Sequence, residues 1–95
     1  MEVRIRIPTQ LRDLAAGAGS VVVIVDSTPV TVSSVLNSLA ATHPALERRV
    51  RDETGRTRVH VNLFVDDDNI RDLDGVETTV VDGSDLSIIP AISGG

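Results

Sequence analysis

The sequence predicts a two-layer α+β domain in which one main helix packs across one face of a mixed β-sheet. Three observations predict this fold class. Several short segments alternate apolar and polar residues, one segment carries apolar residues at helical spacing, and strands stand on both sides of that helix in the chain. A chain of 95 residues has room for only one modest core, so we expect no deep catalytic cleft.

Two strands are predicted before the helix. Apolar residues from Val3 to Ile7 alternate with arginines, and Pro8 ends this strand. Residues 15–20 are rich in Ala and Gly and predict a loop. The β-branched run from Val21 to Val25 predicts a second strand, which we expect to form a hairpin with the first.

The main helix is predicted to begin after Thr31, whose hydroxyl can accept a hydrogen bond from an N–H of the first turn. Apolar residues from Val32 to Ala40 recur at three- and four-residue intervals and form one stripe. Pro44 ends this helix, because the residue before a proline is disfavoured in the helical conformation. Residues 44–50 predict a further short turn of helix with its apolar residues facing inward.

Three extended segments follow the helices. Residues 59–65 alternate, Asn69 to Arg71 predicts a short edge strand after an acidic turn, and Leu86 to Ile89 predicts a last strand. Pro90 has no N–H, so sheet pairing should end near it. This order of elements fits the β-grasp, or ubiquitin-like, architecture best, with a mixed sheet of four to five strands.

We therefore expect a β-grasp domain over residues 1–90 and a flexible C-terminal tail over residues 91–95. The tail ends in Gly94 and Gly95. Because glycine has no Cβ, such a tail can pass through a close-fitting channel and adopt unusual backbone angles there. Five extended residues reach about 17 Å, at ~3.3–3.6 Å per residue. A frayed end and the remnant of an expression tag are the alternative interpretations of the two glycines.

Composition excludes several classes of function. The chain has no cysteine, which removes disulfides, thiolate metal sites and cysteine nucleophiles, and its nine basic residues are all arginine. A net charge of −5 argues against general binding of nucleic acid. No apolar run approaches the ~20 residues that cross a bilayer, and no signal peptide is visible, so we expect a cytoplasmic protein.

The residues that could carry chemistry do not form a catalytic or metal-binding set. A calcium loop beginning at Asp66 would place Ile70 and Arg71 where a ligand and a glycine are needed. His43 at a helix end and His60 in the third strand, on the outer sheet face, are expected to be ordinary surface histidines. Arginines between residues 48 and 58 alternate with acids and predict a solvated surface.

Several segments of the chain together match the pattern of one known family. Val3–Leu14 is a first strand with a Pro-Thr turn, Val81–Leu86 holds an Asp-Gly turn one residue longer than the family's, and Ile88–Gly95 is a terminal strand that leads into Gly-Gly. The pairs Val65-Asp66 and Asn69-Ile70 also match. These segments resemble the MoaD/ThiS family of ubiquitin-like sulfur carriers. Within it, the chain is most similar to the CysO-type carriers of cysteine biosynthesis, on the segments Ile7-Pro8-Thr9, Val61–Val65, Ile89-Pro90-Ala91 and the linker 52–58.

The resemblance implies a carrier and not an enzyme. It implies that a MoeB/ThiF-like activating enzyme adenylates Gly95 with ATP, and that a sulfur donor converts the adenylate to a thiocarboxylate. Ile92, Ser93 and Gly94 would thread into the active sites of the partners. For a CysO-type carrier, the partners would also include a pyridoxal-phosphate-dependent cysteine synthase and a peptidase that releases cysteine. The chain itself would bind no cofactor and no metal.

The resemblance also implies a docking face on the sheet. Phe64 and Ile89 are the predicted docking residues, on the outer face with Arg4 and Arg6. Ile89 stands where the small subunits of molybdopterin synthase carry an aromatic residue that contacts the partner. The acidic run from Asp66 to Asp85 is expected to steer the carrier toward basic partner surfaces. The inward residues of the strands are expected to fill the core: Val3, Ile5, Ile7, Val61, Leu63, Val65, Leu86 and Ile88.

Other functions share these features. The small subunit of molybdopterin synthase and the carrier of the thiamin pathway have the same tail. A ubiquitin-like modifier would be conjugated through Gly95 to lysines of other proteins. A plain β-grasp binding module with an incidental tail is the remaining alternative. The sequence leaves the sulfur donor, the sulfur acceptor and the oligomeric state undetermined.

Overall fold

The computed structural model describes residues 1–90 of the chain. One face of a five-stranded sheet is covered by two helices, and three short 3₁₀ segments connect the strands. In chain order the elements are β1 (Glu2–Arg6), a 3₁₀ segment (Thr9–Ala15), β2 (Ser20–Ile24), α1 (Val32–Thr42), α2 (Pro44–Val50), β3 (Val61–Val65), β4 (Asp68–Asn69), two 3₁₀ segments (Ile70–Asp72 and Gly75–Glu77) and β5 (Asp85–Pro90).

The sheet is mixed, as predicted, and its strand order is β2-β1-β5-β3-β4. β1 pairs with β2 as the expected antiparallel hairpin and with β5 in parallel, where Ile5 lies beside Leu86. β3 is antiparallel to β5, with Leu63 opposite Ile88. The last strand within residues 1–90 therefore occupies the centre of the sheet, and residues 91–95 follow it in the sequence.

The core lies between the inner face of the sheet and the helices. All but one of the strand residues expected in the core are buried. The exception is Val65, which is half-buried because it ends β3 and packs only against the margin of the core. The helices add fully buried side chains, each 0% exposed: Val32, Val35, Leu36, Leu39, Leu46 and Val50.

The predicted cap of the main helix is confirmed as a capping box. The Thr31 hydroxyl accepts a hydrogen bond from the Ser34 N–H at 3.2 Å, and the Ser34 hydroxyl accepts one from the Thr31 N–H at 2.8 Å. At the other end, His43 leaves the helical conformation (φ −134°, ψ 66°) just before Pro44. The expected second helix begins at that proline, as predicted.

Two predicted strands are shorter than expected. The strand predicted over residues 59–65 begins only at Val61, because Val59 and His60 form a turn in which Val59 is 77% exposed. The edge strand predicted at residues 69–71 is displaced to Asp68 and Asn69. There the Asn69 side chain accepts a hydrogen bond from the Arg71 N–H at 3.0 Å, which starts a 3₁₀ turn and ends sheet pairing.

A tight loop joins α2 to β3. Its centre is the Asp52 carboxylate, which accepts hydrogen bonds from the Thr54 N–H, the Thr54 hydroxyl and the Arg56 N–H. These donors lower the pKa of Asp52 below its ordinary value, and the Thr54 hydroxyl has the largest effect. Burial acts in the opposite direction and raises this pKa. After this loop the Arg58 N–H donates to the Val50 carbonyl at 2.9 Å, which ties the segment before β3 to the end of α2.

Within residues 1–90, neither helix has the length and apolar character that crossing a membrane requires.

Removing the cap of the main helix should destabilise the domain without changing its fold. We expect Thr31→Ala to lower the free energy of unfolding by about 1 kcal/mol, since a helix N–H loses its acceptor. Ser38→Ala on the same helix is the matched control, because Ser38 makes no side-chain hydrogen bond among residues 1–90. Urea unfolding measures both variants. Equal losses in the two variants would contradict a specific role for the cap.

Thr54→Val should raise the pKa of Asp52 toward its ordinary value of 3.8, because the strongest hydrogen bond to the carboxylate is lost. A carboxyl group whose pKa is lowered by folding stabilises the folded state at pH values above its ordinary pKa. This stabilisation is lost as the pH falls through the lower pKa of the folded state. The stability difference between the wild type and Thr54→Val should therefore be present near neutral pH and shrink in acid. Carboxyl NMR titration measures the pKa of Asp52. Thr9→Val is the control and should leave this pKa unchanged. An Asp52 pKa that Thr54→Val does not alter would refute this explanation.

Candidate functional site

The candidate site surrounds the end of β5, where the described chain ends. Among the described residues, Pro90 is the last one paired in the sheet, and it lies opposite Val61. That sheet pairing ends near Pro90 stays a prediction, because the residues that follow lie outside the described part of the chain. The residues predicted to carry or thread the reactive terminus, Ile92, Ser93, Gly94 and Gly95, lie outside the described residues. The site is therefore built from the surfaces that flank Pro90.

The two predicted docking residues lie on the outer face of the sheet, which faces away from α1. Ile89 pairs with Asn62, and Phe64 pairs with Ser87, so Ile89 and Phe64 are diagonal neighbours on adjacent strands. Ile89 is 44% exposed, whereas Phe64 is half-buried. The alternation of β1 places Arg4 and Arg6 on the same face, as expected. Their role in docking stays a prediction.

A shallow apolar groove on this face leads to the end of β5. We call it the outer groove; its volume is about 280 Å³, and it is lined by Arg6, Ile7, Pro8, Ser87, Ile88, Ile89 and Pro90. Arg6 is held in place by Asp85, whose Oδ2 accepts hydrogen bonds from Nε at 3.1 Å and from Nη2 at 2.9 Å. Both side chains are partly exposed, so this ion pair orients Arg6 and adds at most about 1 kcal/mol to stability.

A second concavity lies on the helix side of the same strand end. We call it the basic notch; its volume is about 330 Å³, and it is lined by Gln10, Leu11, Arg49, Arg58, His60, Val61 and Pro90. Placing His60 on the outer face of a strand was wrong. The strand begins one residue later, and His60 lies in the preceding turn, where it lines the notch.

The basic notch was not predicted from the sequence. Arg49 and Arg58 were expected only as part of a solvated surface, and both are indeed exposed. The missing information was their position relative to Pro90. Gln10 comes from the 3₁₀ segment after β1, Arg49 from α2, and His60 from the turn before β3. No spacing along the chain could have indicated that these residues meet at the end of β5.

The described residues offer surfaces for binding and no apparent catalytic machinery. No group of three or more His, Asp or Glu side chains in residues 1–90 is placed to hold a metal ion. His43 stands at the end of α1, where its Nδ1 lies 2.9 Å from the Thr42 hydroxyl. The end of β5 lies between an apolar groove and a basic notch, which are two surfaces suited to contact with another protein.

Comparisons with known proteins agree with this geometry. CysO, a sulfur carrier protein from Mycobacterium tuberculosis, is 33% identical over 97 residues, which cover 100% of both chains. Small archaeal modifier protein 3 from Haloferax volcanii is 33% identical over 95 residues, again with 100% of both chains covered. These relatives are named as a carrier and a modifier, and neither is named as an enzyme.

Solved structures show the same fold. CysO in the BexX/CysO complex of Amycolatopsis orientalis superimposes with a TM-score of 0.83 at 31% identity, over 98% of this chain and 99% of that one. The predicted β-grasp fold is thereby confirmed. The ThiS family model matches residues 5–95, which is nearly the whole sequence. The chain therefore belongs to the ThiS family, in agreement with the resemblance that its sequence segments indicated.

Proposed function

We propose that this chain is a sulfur carrier whose terminal glycine, Gly95, receives and delivers the sulfur atom. The observation that carries the proposal is the position of the tail: Gly94-Gly95 follows β5, a central strand whose end is flanked by the outer groove and the basic notch. Full-length similarity to CysO supports it. In this proposal residues 1–90 are the domain that partners bind, and residues 91–95 are the arm that enters their active sites.

The first step makes the terminal carboxylate reactive. A carboxylate is a poor electrophile, because its negative charge repels nucleophiles and oxide is a poor leaving group. In the active site of a MoeB/ThiF-like activating enzyme, a Gly95 carboxylate oxygen attacks the α-phosphorus of ATP. The bond to the β,γ-phosphates breaks, pyrophosphate leaves, and an acyl adenylate forms. ATP is bound by that enzyme, and the carrier is its substrate.

The second step introduces sulfur. Hydrosulfide attacks the acyl carbon of the adenylate, the bond from that carbon to the AMP oxygen breaks, and AMP leaves with its electron pair. One proton is released and a C-terminal thiocarboxylate remains on Gly95. No redox change occurs when the donor is sulfide. The thiocarboxylate sulfur is then a nucleophile held at the end of an arm of about 17 Å.

This chain contributes recognition to both steps. Gly94, Ser93 and Ile92 are proposed to run extended through a partner's channel, where a residue without a Cβ at Gly94 admits the closest approach of the channel walls. Phe64 and Ile89 are proposed to seat the sheet face against the partner. Contact at both the tail and the sheet face fixes the reactive carboxylate relative to bound ATP, which is a contribution of orientation.

We propose cysteine biosynthesis as the destination of the sulfur. In this pathway a pyridoxal-phosphate-dependent cysteine synthase would hold an activated serine derivative, and the thiocarboxylate sulfur would displace its leaving group to form a thioester to Gly95. The acyl group would then move from sulfur to the cysteine amine, and a peptidase would hydrolyse that amide with water, which releases cysteine and restores the Gly95 carboxylate. The similarity to CysO supports this choice. Molybdopterin synthase and the thiamin pathway are the alternative destinations within the family.

A second candidate function is protein modification. It is favoured by the 33% identity to small archaeal modifier protein 3 over the whole chain. In that case the activated Gly95 would be transferred to lysine amines of other proteins. The chain has no lysine of its own, so lysine-linked chains of this protein could not form. Lysine-linked adducts that carry its terminal residues in cell extracts would support the modifier.

Incubation with a MoeB/ThiF-type activating enzyme, ATP and sulfide should raise the intact mass of the chain. The expected rise equals the replacement of one oxygen atom by one sulfur atom, measured by intact mass spectrometry. A variant that lacks Gly95 is the control and should keep its mass. An unchanged mass with several such enzymes, each active on its own carrier, would favour a modifier function or a plain binding module.

Ile89→Asp should reduce conversion by the activating enzyme while the domain stays folded. Ile89 is 44% exposed beside the end of β5, so a charge there is expected to disturb docking more than stability. Val22→Asp is the matched control. Val22 is an apolar residue, 56% exposed, on the edge strand β2 and away from the end of β5. Steady-state kinetics should show a higher KM for Ile89→Asp only. Equal kinetics in both variants would remove Ile89 from the docking surface.

A further inference from the structure

The charges of this chain are separated along β5. At the start of the strand, the Asp66 N–H donates to the Asp85 carbonyl at 2.9 Å, and the Asp85 N–H donates to the Asp66 carboxylate at 3.0 Å. Asp68 in β4 pairs with Val65 at the same end of the sheet. The basic notch lies at the other end, beside Pro90. Five steps of about 3.3 Å place these two ends roughly 17 Å apart.

The arginines of the notch form no ion pair shorter than 4 Å in the part of the chain that the structure describes. Ion pairs there join Arg6 to Asp85 and Arg51 to Glu47. Arg49 and Arg58 form none within residues 1–90, and no Asp or Glu lines the notch. Arg58 also lines a neighbouring concavity with Glu47, Asp52 and Glu53, and its charge helps to lower the pKa of Asp52. Arg49 lines the notch and not that concavity, so a chain with a net charge of −5 presents this arginine beside Pro90.

The local structure positions Arg58 by hydrogen bonds and the backbone of Arg49 by helix packing. Arg58 is fixed through its Nε, which donates to the Arg48 carbonyl at 2.6 Å, and through its own carbonyl, which accepts from Arg71 Nη2 at 3.1 Å. Arg49 stands in the last turn of α2, a helix anchored by the buried Leu46 and Val50. A cation that is already positioned loses less conformational entropy when it binds an anion.

We propose that the basic notch receives an acidic side chain of the enzyme that accepts the tail. This inference rests on the proposed carrier function. A protein that encloses residues 91–95 must stand against the end of β5, so its rim lies beside Arg49, Arg58 and His60. Guanidinium groups bind carboxylates through charge-assisted hydrogen bonds. The matching partner surface is therefore an acidic rim around the entrance of the channel.

The separation of charge also sets the direction of approach. An acidic rim is attracted to the notch and repelled by Asp66 and Asp68 at the far end of β5, where Asp85 is already paired with Arg6. Such a field orients two proteins before they touch and accelerates productive encounters. The predicted attraction of the acidic run to basic partner surfaces therefore applies at the far end of β5. At the Pro90 end, the basic notch favours partners with an acidic surface.

Arg49→Glu tests the proposal, with Arg56→Glu as the matched control. Arg49 lines the notch, whereas Arg56 is an equally exposed arginine in the same region that does not. The assay is thiocarboxylate formation by the MoeB/ThiF-type activating enzyme of the same genome, with ATP and sulfide at low ionic strength. Reversing one charge at a close contact should raise the KM for the carrier roughly tenfold, leave kcat unchanged and lose its effect in high salt.

The outcomes separate the two proposals. If the wild type is converted and both variants have the same KM, the notch inference is wrong while the carrier function stands. If the wild type is not converted, the carrier function fails and takes the notch inference with it. The alternative occupant of the notch is the acidic end of a second copy of this chain, which sedimentation tests. Self-association that Arg49→Glu abolishes, together with an unchanged KM of that variant, would overturn the inference. Thermal unfolding of Arg49→Glu confirms that the variant is folded.

Discussion

The parallel pairing of β1 with β5 at the centre of the sheet is the contact on which the rest of the structure depends. Ile5 and Leu86 lie side by side in this pair, and both are 0% exposed. Parallel strands cannot be joined by a tight turn, so both helices and the three other strands form the connection between them. The consequence is that β5, the last strand within residues 1–90, lies in the middle of the sheet instead of at a free edge.

The central position of β5 gives Pro90 two different surroundings. On the outer face it adjoins an apolar groove, and on the helix side it adjoins a basic notch. A protein bound over this end of β5 would contact an apolar surface and a charged surface at once. Shallow surfaces of this kind suit a carrier that several enzymes must bind and release in turn, because a large buried interface would slow its release.

Local physical chemistry explains which elements could be predicted. The capping hydroxyl of Thr31 and the break before Pro44 depend on residues a few positions apart, and both are found where the sequence places them. The errors have a common cause. Alternation continues through Val59 and His60, but a turn closed by a hydrogen bond from the Val61 N–H to the Arg58 carbonyl keeps both residues out of the strand. Pattern alone does not report such competing hydrogen bonds.

By itself the sequence determined the α+β class, the capped main helix, the inward faces of β1, β3 and β5 and the glycine-terminated tail, because periodicity and local hydrogen bonding specify these properties. Only the tertiary structure decided which surfaces adjoin the end of β5 at Pro90. Gln10, Arg49, His60 and Pro90 come from four separate segments and meet because β5 inserts between β1 and β3. Periodicity tells which side of an element is buried, but the neighbours of its exposed side depend on pairings between residues distant in the chain.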